Sequence, residues 1–92
     1  EIGRLAVAYE PRWAIGTGLT PTGAQVTELL QHIRRRLVAQ LGDGGAAPAV
    51  LYGGSVKPNN AAELMGLPGC GGALIGGAAL DPAAFAAIAA AC

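Results

Sequence analysis

One carboxylate, two glycine pairs and a serine have the types and the placement to do chemistry. Glu10 closes the apolar run "RLAVAY" and is followed by "PRWAIGTG". Gly53, Gly54 and Ser55 close the run "AVLY", and Gly76 and Gly77 close the run "GALI". Glycines placed where a chain leaves a strand let bare backbone N–H groups approach an anion, and a following helical turn adds favourable potential. Ser55 adds a hydroxyl donor. A carboxylate shielded from water gains proton affinity and becomes a usable base. The chemistry on offer is therefore an anion subsite with a base beside it. Each part also has a plainer reading: the glycine pairs as tight turns, Glu10 as a surface carboxylate paired with an arginine. Repetition of the pair at matching places after two successive runs favours the anion. The residues after Glu10 favour the base: Pro11 and Trp13 form a stiff hinge, Ala14 to Gly18 a small-residue tip, and "LTP" a second constrained segment, the pattern of a flap that moves as a unit.

Competing motifs fall away. "GTGLTP" has Pro21 where a dinucleotide-binding GxGxxG needs its third glycine, and no GxxxxGK[ST] run exists. Ser55 is not a nucleophile elbow, because Lys57 stands where GxSxG requires glycine. His32 lies mid-helix as a surface histidine, and Lys57 sits in solvent. Cys70 and Cys92 have neither CxxC spacing nor a nearby histidine, so no metal site is expected. The 92 residues carry a net charge of zero, 52% apolar and 13% charged residues. That balance excludes a disordered tail and leaves no basic excess for nucleic acid; "RRR" at Arg34 to Arg36 reads as a solvated helix face. No apolar run is long enough for a membrane span. A neutral chain with few cysteines suits the cytoplasm.

The elements that must position these residues alternate. "RLAVAY" (Arg4 to Tyr9), "AVLY" (Ala49 to Tyr52) and "GALI" (Gly72 to Ile75) read as short strands, the first buried on both faces. Val26, Leu29, Leu30, Ile33, Leu37 and Leu41 fall at helical spacing behind a Thr22–Gln25 capping box, with Gly42 as the stop. "GDGGAAP" is a loop. Asn60 and Glu63 repeat the capping pattern for a second helix that Gly66 closes. Asp81 and Pro82 open a third, with Phe85, Ile88 and Cys92 as its apolar stripe. Strand and helix three times over predicts parallel strands in an α/β architecture, with function at their carboxyl ends.

"AYEPRWAIGTG", "YGGSVKPNNAAEL" and "GALIGGAALDP" resemble, in order and spacing, the carboxy-terminal part of the triosephosphate isomerase family. The resemblance covers nearly all of residues 1–92 as part of one domain. It implies a partial (β/α)8 TIM barrel, strands six to eight with their helices. It implies an isomerase of glycolysis and gluconeogenesis that interconverts dihydroxyacetone phosphate and glyceraldehyde 3-phosphate through an enediol(ate), without metal or cofactor. Glu10 would be the catalytic base. Gly16, Ser55, Gly76 and Gly77 would bind the phosphate. Pro11 and Trp13 would hinge a lid whose tip is Ala14, Ile15, Gly16, Thr17 and Gly18, and Tyr52 would latch it. The full-length protein would be a cytoplasmic homodimer.

Arg12 stands where the family usually has valine, Leu19 where lysine is frequent, and Gly71 where aspartate is common. The family's substrate-binding lysine and electrophilic histidine have no counterpart among these residues. Three of the eight units of a barrel of about 250 residues come to roughly 94 residues, close to the 92 here. With Glu1 rather than methionine at its start, the chain reads as a piece of something longer that ends near the natural terminus. Alone it is expected to be inactive and, with open strand edges, prone to aggregate. A sister isomerase acting on a phosphorylated tetrose, and a non-catalytic phosphate-binding module, are the alternatives.

Overall fold

The computed structural model describes residues 2–12 and 21–91. Along the chain lie β1 (Ala6–Tyr9), α1 (Gly23–Leu41), β2 (Ala49–Tyr52), α2 (Ala61–Met65) and α3 (Pro82–Ala90). Short 3-10 turns occupy Ile2–Arg4, Gly42–Ala46 and Gly77–Leu80. β1 thus begins at Ala6, with Arg4 in the turn before it. β1 and β2 pair in parallel, Ala6 opposite Ala49 and Tyr9 opposite Tyr52. Parallel neighbours need a long crossover, and α1 supplies it.

α1 starts where its cap dictates. Thr22 Oγ1 accepts from the Gln25 N–H at 3.2 Å, and Gln25 Oε1 accepts from the Thr22 N–H at 2.9 Å. It stops at Gly42, whose φ of 66° is left-handed and suits glycine. Val26 and Leu30 are buried, Leu29, Ile33 and Leu37 half-buried, and Leu41 exposed. The "RRR" face is not wholly free: Arg34 Nη1 donates to the Gly45 carbonyl at 2.9 Å. That contact ties the turn Gly42–Ala46 to the helix, so the expected loop is an ordered turn.

The third expected strand is reduced to a single parallel bridge, Ala73 with Tyr52. The Tyr52 N–H donates to Gly72 O at 3.0 Å and the Leu74 N–H to Tyr52 O at 2.9 Å, so the segment lies beside β2 as expected. Gly72, at φ 154°, departs from strand geometry where the run should begin. The α2 cap also differs from expectation. The Asn60 side chain makes no bond to the helix after it. At α3, Asp81 Oδ1 accepts from the Ala83 N–H at 3.0 Å and Pro82 takes the first turn, as the sequence predicts.

The core is one-sided. Val26, Leu30, Val50, Tyr52, Val56, Ala61, Leu64 and Ile88 form a single cluster between the sheet and the three helices. On the opposite face Ala6, Ala8 and Ala49 are exposed and Leu51 is half-buried. β1 is therefore not buried on both faces: Ala6 and Ala8 are exposed, and Val7 and Tyr9 only half-buried. Alternate strand residues point to opposite faces, so the alanine face is the one a closed barrel would turn inward. The α3 stripe is corrected too: Ile88 enters the core, Phe85 is 46% exposed, and Cys92 lies outside the described residues.

Candidate functional site

The three strand ends converge. Beyond the registered pair Tyr9 and Tyr52, the Gly53 N–H donates to the Tyr9 carbonyl at 2.7 Å. A Cβ built on Gly53 would lie 3.6 Å from the Glu10 Cβ and 3.5 Å from Leu74 Cδ1. Glu10 is exposed and Pro11 buried at this end of the sheet. Trp13, Ala14, Ile15, Gly16, Thr17 and Gly18 fall outside the described residues, and with them the expected lid.

A groove of about 450 Å³ opens between the loop after β2 and the segment before α3. Ser55, Gly76 and Gly77, expected together from their positions after the strands, line the same groove. Lys57 and Asp81 line it as well. Lys57 is exposed, as expected, but it also puts a cation at the groove's rim, a placement that nothing in the sequence around it signals. Asp81 offers the opposite charge, though one of its oxygens is engaged by the Ala83 N–H. Glu10 is not among the groove's walls; it stands at the neighbouring strand end, beside Gly53.

The two glycine pairs differ physically. A Cβ on Gly54 would collide with the Tyr52 hydroxyl, while among the described residues a Cβ on Gly76 or Gly77 would meet no atom within 4 Å. Neither Gly76 nor Gly77 has a left-handed φ. At Gly77, then, neither φ nor contact with a described residue demands glycine, whereas Gly76, at φ −92° and ψ −115°, lies outside the α and β regions that other residues favour; both line the groove. Tyr52 is 1% exposed, and burial, with a smaller contribution from Tyr9 opposite it in register, pushes its hydroxyl pKa above the ordinary value.

His32 is exposed on α1 and is not among the residues lining the groove. Among the described residues no three His, Cys, Asp or Glu side chains gather closely enough to hold a metal ion. No described helix is long and apolar enough to cross a membrane.

The whole of residues 1–92 matches the family model for triosephosphate isomerase. The chain belongs to the triosephosphate isomerase family. It is 59% identical over 83 residues to the triosephosphate isomerase of Mesorhizobium japonicum, covering 90% of this chain and 32% of that protein. It is 59% identical over 86 residues to that of Rhodopseudomonas palustris, covering 94% of this chain and 34% of the relative. Among solved structures it is similar to triosephosphate isomerase from Bartonella henselae, with a TM-score of 0.87 and 40% identity over 98% of this chain and 35% of that one. The fold is accordingly a partial (β/α)8 barrel, and the chain spans about a third of the length of these triosephosphate isomerase relatives.

Proposed function

We propose that the full-length protein carrying this segment is a triose-phosphate isomerase. It interconverts dihydroxyacetone phosphate and glyceraldehyde 3-phosphate. Glu10 removes a proton from one carbon and returns it to its neighbour, passing through an enediol(ate). Ser55 Oγ and the backbone of Gly76 and Gly77 hold the substrate phosphate in the groove, and the Gly16 N–H completes its cover when the lid shuts. Pro11 and Trp13 hinge that lid, and Tyr52 latches it. The observation that carries this reading is the groove: it joins Ser55 to Gly76 and Gly77, with open space where a Gly77 side chain would stand, one strand end away from Glu10.

Holding substrate at several points beside the base converts a difficult proton abstraction into an oriented one, with water excluded. The protein works as a cytoplasmic homodimer. The 92 residues alone are inactive, since the family's electrophilic histidine and substrate lysine lie elsewhere in the barrel. Loss of one oxyanion-stabilising group costs on the order of 10²–10³ in rate.

The test is Glu10→Gln in the full-length protein, with turnover and inhibition by inorganic phosphate measured together. Turnover should fall about 10²- to 10⁴-fold with phosphate inhibition unchanged. A parallel loss of phosphate affinity would make Glu10 a structural residue rather than the base.

A further inference from the structure

Asn60 precedes α2 but does not cap it. Its side chain turns back along the chain instead. Asn60 Oδ1 accepts from the Lys57 N–H at 2.7 Å, and Asn60 Nδ2 donates to the Ser55 carbonyl at 2.9 Å. The backbone N–H groups of Asn60 and Ala61 both donate to the Lys57 carbonyl, at 3.1 and 3.0 Å. One amide thus ties down both ends of the stretch Ser55–Lys57, which walls the groove. Asn60 does not line the groove itself.

We infer that Asn60 is a positioning residue for the phosphate subsite, acting through Ser55 and Lys57. The inference deepens the proposed phosphate site and rests on it. Gly53 and Gly54 sit immediately upstream, and glycine loses more conformational freedom on ordering than any other residue. A loop held in place beforehand does not spend that entropy when the anion arrives, so affinity rises without any added contact to the ligand. The clamp needs a donor and an acceptor on one short side chain. Asparagine has both; aspartate lacks the donor, and alanine lacks the two together. α2 draws no side-chain cap from Asn60, so the amide is free for the loop.

The experiment compares Asn60→Ala, Ser55→Ala and Ala62→Gly in the full-length protein. Ala62 lies on α2, and its glycine variant weakens that helix without touching the clamp. For each, KM, kcat, competitive inhibition by inorganic phosphate and amide exchange at Lys57 are measured. For Asn60→Ala, KM and the phosphate inhibition constant should rise about five- to tenfold, the scale of one to two ordinary hydrogen bonds. Its kcat should stay within twofold and its Lys57 amide should exchange faster; Ala62→Gly should change none of these.

If Asn60→Ala leaves phosphate affinity within twofold while Ser55→Ala weakens it, Asn60 does not position the subsite. Equal losses in Asn60→Ala and Ala62→Gly would reduce its role to helix stability. If Ser55→Ala and Asn60→Ala both leave phosphate affinity intact, the phosphate reading itself falls, and this inference with it. Should Asn60→Ala fail to fold, Asn60→Asp, which keeps the acceptor and lacks the donor, is read against the same limits.

Discussion

A methyl group at Gly54 would strike the hydroxyl of Tyr52, whereas one at Gly77 would enter empty groove. This difference separates two substitutions that look alike on paper. Gly54→Ala should destabilise the full-length protein by about 1–3 kcal/mol through overpacking, read as a lower urea midpoint. Gly77→Val should leave the unfolding free energy within about 0.5 kcal/mol, as surface changes do, yet weaken phosphate inhibition severalfold. Unchanged phosphate inhibition in Gly77→Val would remove Gly77 from the subsite. The sequence marks both pairs as special but not why, because where the Tyr52 hydroxyl rests is decided by tertiary packing. Asn60 misleads for a similar reason. An Asn three residues before a Glu satisfies the capping pattern, yet the same short amide can be captured by backbone on its amino-terminal side.

At the scale of elements, the most local signals are the ones legible in the chain. The start of α1 needs only Thr22 and Gln25, and its end only Gly42, so both can be read without knowing what the helix packs on. Thr22→Ala should cost about 1 kcal/mol, measured by equilibrium unfolding of the full-length protein, with catalysis untouched. A loss below about 0.3 kcal/mol would mean the capping box contributes nothing beyond what water supplies. The third strand and α2 are harder to read. "GALI" has a strand's composition, but its length is set by how far it pairs with β2, and that pairing is one bridge long. Arg34 shows the same limit: a triplet of arginines gives no sign that one of them holds the Gly45 carbonyl across a turn.

For the whole molecule, the alternation of strands and helices is readable because each crossover is a local event, while burial is not. β1 reads as a strand buried on both faces, yet Ala6 and Ala8 are exposed on one of them, the face that a closed barrel would cover. Leu5 is 47% and Leu74 50% exposed at the sheet, apolar area that a closed barrel would shelter. The groove is legible as a pairing of Ser55 with Gly76 and Gly77, since matching positions after neighbouring strands must lie side by side.

The buried phenol of Tyr52 carries one further consequence, an alkaline ceiling on the fold. Burial raises its native pKa above the value near 10 that it has in an unfolded chain. Below that unfolded value both states keep the proton and the phenol adds no pH dependence to stability. As pH climbs past it, the unfolded chain releases the proton first and gains on the native one. The thermal midpoint of the full-length protein should therefore hold steady from pH 7 to about 9 and drop above about 10. Tyr52→Phe should drop less steeply there; equal slopes would assign the alkaline loss to other groups. Unlike the loops around it, the tyrosine beneath Gly54 would set the solvent conditions under which the barrel can exist.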